Sequence, residues 1–213
     1  MSNKGDGRKK LLKAEARRIL SLLAPDENST AKDDKGRPFF PGSDIDFNIS
    51  HSGAAAAVSL VTGKGLRTGC DIELIRPRQG TKEIAEDFFS DSERNYIYTD
   101  KKFDETKFYE IWTLRECYLK LLGLSVFDMP SCPSFINGGK NEFSFNADVS
   151  SQFFFRLYEL SICEGKRYIM AAAVQGIQTP PEILKFSQVS FDCKITAEIK
   201  AAPNPAETVR PKI

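Results

Sequence analysis

Two segments of the chain carry carboxylates at spacings that suit metal and phosphate chemistry. In Gly69-Cys70-Asp71-Ile72-Glu73 two acids stand two residues apart. Alternate side chains of a strand share a face, so Asp71 and Glu73 would present their oxygens together while Ile72 turns to the core. With no His or Cys cluster beside them, such a pair suits a hard, oxygen-seeking cation such as Mg²⁺. The spacing D-x-E is common, and taken alone an edge strand with an acidic face explains it more simply. In Trp112-Thr113-Leu114-Arg115-Glu116-Cys117-Tyr118-Leu119-Lys120, Trp112, Glu116 and Lys120 recur every four residues. A helix stacks such residues on one face, where a carboxylate and an ammonium can serve a metal and a phosphate together. The simpler explanation is a surface ion pair worth about 0.2–0.5 kcal/mol.

Two further segments offer donors. Phe47-Asn48-Ile49-Ser50-His51-Ser52-Gly53 holds hydroxyls, the chain's single histidine and a glycine-permitted turn. Side-chain and backbone donors of this kind bind phosphate oxygens, or else form a polar hairpin turn with a structural histidine. Lys35-Gly36-Arg37-Pro38 is a basic turn, or a solvated loop.

The elements that must position these residues follow from periodicity. Leu12, Ala16, Ile19, Leu20 and Leu23 predict a helix over Lys9–Leu23, ended by Pro25. Strands are expected at Phe47–Ile49, Ala55–Val61 and Arg67–Glu73, with turns at Ser50–Gly53 and Thr62–Gly65. Helices are expected at Lys82–Phe88, Ser92–Tyr98 and Thr106–Leu122. The last has an apolar stripe of Phe108, Ile111, Trp112, Leu119 and Leu122 and is stopped by Gly123. Beyond a turn at Gly138–Gly139 the pattern is mainly β, with strands at Glu142–Phe145, Phe153–Ser161 and Arg167–Val174. Pro180–Pro181 ends that run, and a proline-rich tail follows. Helices and strands mix without a βαβ period, so the fold class is α+β.

Composition excludes several classes. Thirty Lys and Arg balance 29 Asp and Glu, unlike the basic excess of a protein that grips nucleic acid by its phosphates. Five cysteines, an odd number without C-x-x-C spacing, argue against a disulfide framework or structural zinc and for a reducing, cytoplasmic setting. The basic N-terminus is followed by no apolar run of signal-peptide length. The apolar stretches Ala54–Val61 and Ile169–Val174 are too short to span a bilayer.

Each segment alone is weak evidence; their order is distinctive. K-G-R-P, F-N-I-S-H-S-G, G-C-D-I-E, F-F-S-D-S-E and W-T-L-R-E-C-Y-L-K, in that sequence, resemble the 4′-phosphopantetheinyl transferases. The likeness is to the larger, monomeric type that serves acyl, peptidyl and polyketide carrier proteins, and runs from about Asp6 to about Phe191. It implies two similar α/β halves related by pseudo-twofold symmetry, with coenzyme A between them. The halves would be residues 1–66 and 67–191, followed by a tail, 192–213.

The resemblance also implies roles. Asp71, Glu73 and Glu116 match an acidic trio around Mg²⁺, with Mn²⁺ as an alternative. Glu116 matches the general base toward the carrier serine, and Lys120 the lysine that contacts the pyrophosphate as 3′,5′-ADP departs. Asp71, Glu116 and Lys120 are thus the implied catalytic residues. Ser50, His51, Lys9, Arg115, Gly36, Arg37 and Pro38 match coenzyme A contacts, with His51, Arg37 and Lys9 expected around the 3′-phosphate. Glu93 matches an acidic position of less uniform role. Arg115 stands where the family usually has lysine, Arg37 replaces the lysine of G-K-P, and Cys70 replaces a small aliphatic residue. The family's opening strand has no counterpart here, so the first half is expected to be short and less protected. A non-catalytic relative that holds coenzyme A or a carrier, and an unrelated α+β interaction module, are the alternative readings.

Overall fold

The fold is α+β. The computed structural model describes residues 3–27, 29–139, 142–145, 153–162 and 165–176. A helix, α1 (Asn3–Leu23), is followed by the short pair β1 (Ala31–Lys32) and β2 (Pro38–Phe39). A hairpin follows, of β3 (Ile45–Ser52) and β4 (Ala55–Thr62). Next come β5 (Arg67–Leu74), α2 (Thr81–Phe88), α3 (Asp91–Ile97), the short pair β6 (Tyr98–Thr99) and β7 (Lys102–Phe103), and α4 (Glu105–Leu122). A 3₁₀ turn (Val126–Ser131) leads to β8 (Phe135–Gly139), β9 (Glu142–Phe145), β10 (Phe153–Ile162) and β11 (Lys166–Gln175).

Five strands form one sheet in the order β5-β11-β10-β9-β8, antiparallel where paired. Its two faces bury different sets of side chains, as strand alternation requires. Phe155, Leu157, Ile169, Ala171 and Ala173 pack with α4 through Phe108, Ile111, Leu114, Cys117 and Leu121. On the opposite face Cys70, Ile72, Tyr158, Leu160 and Tyr168 pack with Ala55 and Ala57 of β4. The hairpin's other face holds Phe47, Ile49, Val58 and Leu60 against Leu20 of α1 and Ala24 just beyond its end. Gly53 turns the hairpin at φ 59°, and a Cβ there would lie 2.8 Å from the Tyr168 hydroxyl. That hydroxyl also accepts the Ala54 N–H at 3.1 Å.

Several boundaries differ from expectation. Helix α1 starts at Asn3 rather than Lys9. Strand β3 continues through Ser52 instead of ending at Ile49, because Ser50 and Ser52 carry bonds to β5 (below). Gly138 and Gly139 end a strand, beside an irregularity between Asn137 and Gly139, where a plain turn was expected. The stripe on α4 is also too narrow. Tyr109, Thr113, Leu114, Arg115, Cys117 and Leu121 are buried too, since the helix is covered by the sheet on one side and by α3 and the 3₁₀ turn on the other. Pro180–Pro181 and the tail lie outside the described residues. Among the described residues no helix is long and apolar enough to cross a membrane.

Candidate active site

Strand β5 is the edge of the five-stranded sheet, so alternate N–H groups along it need acceptors from elsewhere. Side chains of β3 supply them in a regular ladder. Asp46 Oδ2 accepts from Thr68 N at 2.7 Å and Asn48 Oδ1 from Cys70 N at 3.2 Å. Ser50 Oγ accepts from Ile72 N at 3.3 Å and Ser52 Oγ from Leu74 N at 3.2 Å. Each pair is 22 residues apart, so the period-2 pattern of β3 is locked onto that of β5. The two strands are joined by side chains, and Asp71 and Glu73 lie along this seam.

Helix α4 closes the seam from the other side. Asp104 caps its start, accepting from Thr106 N and Lys107 N, and Gly123 ends it at φ 66°. The helix comes unusually close to β5 at Gly69, where a Cβ would lie 2.6 Å from the Cys117 carbonyl oxygen and 2.8 Å from Leu121 Cβ. This approach brings Lys120 Nζ to 2.5 Å from Asp71 Oδ1 and 2.9 Å from Ser50 Oγ. Gly69 is therefore a functional position that the spacing of the acids alone does not reveal; the signal was a glycine two residues before the first carboxylate. Gly69→Ala sets a methyl against helix backbone that cannot swing aside. It should cost roughly 1–3 kcal/mol of stability. It should also lower any turnover by about 100-fold, because ångström-scale misplacement of reacting groups is that expensive. Thermal melts and turnover measured well below the melting temperature check both.

The electrostatics bind the acids into one unit. Burial, then the charge of Asp71 and also that of Glu73, push the Glu116 carboxyl up to about 7, against the opposing pull of Lys120. Burial and Asp71 likewise raise Glu73, while its bond from Ser52 and the charges of Lys120 and Arg78 resist. Burial would lower Lys120, but the charge and hydrogen bond of Asp71 together with Glu116 outweigh it, and the ammonium is held above its ordinary value. A cluster of one buried acid, two half-buried acids and one ammonium is short of positive charge.

The donors fit a hard divalent cation in kind. All are oxygens, and Asp71 Oδ2 is buried with no hydrogen-bond partner, an arrangement that costs free energy unless something positive reaches it. Among the described residues no three His, Cys, Asp or Glu side chains stand close enough to hold a metal as they are. The trio is in electrostatic contact; with Asp71 and Glu73 held by Ser50 and Ser52, joint ligation would take side-chain rotation at Glu116.

Comparison with known proteins settles the family. The model of the 4′-phosphopantetheinyl transferase superfamily matches residues 67–173, the stretch that carries Asp71, Glu73, Glu116 and Lys120. The chain belongs to the 4′-phosphopantetheinyl transferase superfamily. It is 35% identical over 103 residues to the 4′-phosphopantetheinyl transferase AcpT of Salmonella typhimurium, covering 47% of this chain and 53% of that protein. It is 38% identical over 90 residues to a 4′-phosphopantetheinyl transferase of Bacillus subtilis, covering 41% and 38%. A fungal relative, the 4′-phosphopantetheinyl transferase pptA of Paxillus involutus, is 26% identical over 191 residues, covering 80% and 72%. The chain spans about half the length of the bacterial relatives it matches.

Within this transferase-superfamily fold, the expected coenzyme A contacts are placed unevenly. Gly36, exposed at φ 82°, lies in the turn after Asp33, whose carboxylate accepts from Lys35 N and Arg37 N, and half-buried Pro38 opens β2 just beyond it. Arg37 does not project from that turn. Its guanidinium donates to both Asp46 oxygens at 2.7 and 2.8 Å, to Thr68 O at 2.8 Å and to Lys120 O at 3.2 Å. Asp46 lies five residues along β3 from His51, or about 17 Å. His51, half-buried, alternates onto the strand face that carries Phe47 and Ile49. Arg37 and His51 thus do not converge on one phosphate, contrary to expectation; the fork of donors is spent on joining the turn, both strands and the end of α4. The side chain of Lys9 lies outside the described residues. Ser50 is buried, with its hydroxyl engaged in the seam.

Arg115 also departs from expectation. It sits one residue before Glu116, about 100° around the helix, and is buried in a bidentate pair with Glu93, Nη2 to Oε2 at 2.6 Å and Nε to Oε1 at 3.2 Å. It therefore reaches no phosphate from this position, and Glu93 acquires a structural role. Arg37→Lys keeps the charge but loses the fork. It should lower stability by about 1–3 kcal/mol while leaving any preference for coenzyme A over its dephospho form unchanged. Melts and paired affinity measurements distinguish this from loss of a phosphate contact.

Proposed function

We propose that this chain transfers the 4′-phosphopantetheine group of coenzyme A to a serine hydroxyl of an apo carrier protein, releasing 3′,5′-ADP. The observation that carries the reading is the single electrostatic unit of Asp71, Glu73, Glu116 and Lys120, with one buried oxygen of Asp71 unsatisfied. Mg²⁺, or Mn²⁺, held by Asp71, Glu73 and Glu116 would neutralise charge on the pyrophosphate as the bond to the leaving group breaks.

The chain's own residues supply the remainder. Glu116 is raised to about 7 without a cation, and a divalent cation beside it would favour the ionised carboxylate that a general base requires. Glu116 takes the proton of the carrier serine, directly or through one water, as the serine oxygen bonds to the phosphorus that carries the pantetheine arm. The bond from that phosphorus to the bridging oxygen breaks, and 3′,5′-ADP leaves with the electron pair. Lys120 stays cationic and supports the departing phosphate. The buried thiols Cys70, Cys117 and Cys132 support a reducing, cytoplasmic setting, and the resemblance to the monomeric type implies a monomer.

The test is intact-mass analysis of a panel of acyl, peptidyl and polyketide carriers incubated with this protein, coenzyme A and Mg²⁺. A phosphopantetheine mass gain on any carrier supports the reading, and the pattern across the panel gives the carrier class. Coenzyme A binding with no gain on any carrier would mark a non-catalytic relative instead.

A further inference from the structure

Two hydroxyls of β3 make the same pair of bonds one strand repeat apart. Ser50 Oγ donates to Asp71 Oδ1 at 2.7 Å and accepts from Ile72 N. Ser52 Oγ donates to Glu73 Oε2 at 2.7 Å and accepts from Leu74 N. A serine hydroxyl has one proton and two lone pairs. In Ser50 the lone pairs take the Ile72 N–H and the Lys120 ammonium, so its proton is committed to Asp71 and nothing is left for a phosphate oxygen. The S-x-S of β3 is thus in register with the D-x-E of β5, and each hydroxyl fixes one oxygen of one carboxylate.

This fixes where the remaining oxygens point. Asp71 Oδ1 receives both Ser50 and Lys120, while Asp71 Oδ2 is buried and unpartnered. Burial of an unpaired carboxylate oxygen is costly, and tethering the other oxygen prevents the group from rotating away to relieve it. We propose that Ser50 and Ser52 are positioning residues that aim Asp71 and Glu73 at the divalent cation, in addition to capping the edge of β5. The inference rests on the metal reading given above. Partners of metal-ligating carboxylates typically hold 10–100-fold in metal affinity.

The test is Mn²⁺ titration of the intact protein without coenzyme A, followed by electron paramagnetic resonance of free Mn²⁺. Ser50→Ala and Ser52→Ala should each weaken Mn²⁺ binding by about tenfold or more, at unchanged stoichiometry. Ser52→Thr, which keeps the hydroxyl, and Ser59→Ala, which removes a hydroxyl of β4 opposite Asn48, should remain within about threefold of wild type. If Ser52→Ala does not fold, Ser52→Cys keeps the shape with a weaker donor and should lose affinity in the same direction. Binding that Asp71→Asn abolishes but both serine variants retain at wild-type strength would overturn the role of the serines alone. Binding that survives Asp71→Asn would place the metal elsewhere and overturn the metal reading itself, and no saturable binding by wild type would overturn both.

Discussion

Glu116→Gln should reduce transfer by about 10²–10⁴-fold, the range that general-base catalysis contributes, while making the metal-free protein more stable above neutral pH. Both effects come from the same burial. Gln has the shape of Glu but cannot take a proton from a serine hydroxyl, so turnover should fall with little change in coenzyme A affinity. The folded protein holds the Glu116 proton up to about 7, whereas the unfolded chain releases it near 4.5. Its contribution is therefore fully present below the unfolded value and lost as pH rises through about 7. It amounts to at most ~3 kcal/mol, and less in so coupled a cluster. Glu73 is raised in the same direction. Metal-free wild type should melt lower at pH 8 than at pH 5.5 on this account, Glu116→Gln should show a flatter profile, and added Mg²⁺ should restore wild type at pH 8. Calorimetric melts across pH, with and without Mg²⁺, check the sign. Near-normal transfer by Glu116→Gln would remove it from the chemistry.

How legible this was from the sequence depends on the range of the interaction. The alternation of Asp71, Ile72 and Glu73 is local, and Ile72 is buried opposite the two acids as the period requires. The i, i+4 relation of Glu116 and Lys120 is local too, and the Gly123 stop follows from its positive φ. What local pattern cannot give is which partner a charge finds across the fold. Arg37 and Arg115 both read as free cations because their acceptors, Asp46 with Thr68 and Glu93, depend on how β3, β5, α3 and α4 pack. The same holds for Ser50. Its hydroxyl invites a phosphate in isolation, and the 21-residue register to Asp71 becomes visible only once two strands lie side by side. Glycine gave the subtler signal at Gly69, since nothing in a strand pattern says that a helix backbone will rest there.

Glu93→Ala should destabilise the protein by about 3–5 kcal/mol, the cost of leaving a buried charge without its partner. For a chain of this size that is a fall of roughly 10 °C or more in melting temperature. The Glu93 side chain is fully buried and that of Arg115 is 2% exposed, so water cannot replace the lost acceptor. Glu93 serves four donors. Its oxygens accept the two Arg115 bonds, the Ser90 N–H at 2.8 Å and the Phe135 N–H at 3.0 Å. Arg115 in turn donates to Met129 O at 3.2 Å and lies 5.3 Å over the Phe89 ring. One ion pair thus joins α3, α4, the 3₁₀ turn and β8. Arg115→Lys should restore little, because a point-charge ammonium cannot reproduce a fork that meets both carboxylate oxygens and a carbonyl. The double variant Glu93→Leu, Arg115→Met should be less destabilised than the two single changes predict together, since no naked charge remains buried, although Ser90 N and Phe135 N still lose an acceptor. Denaturant melts of the four proteins give that coupling directly. Additive losses would mean that the two side chains act separately.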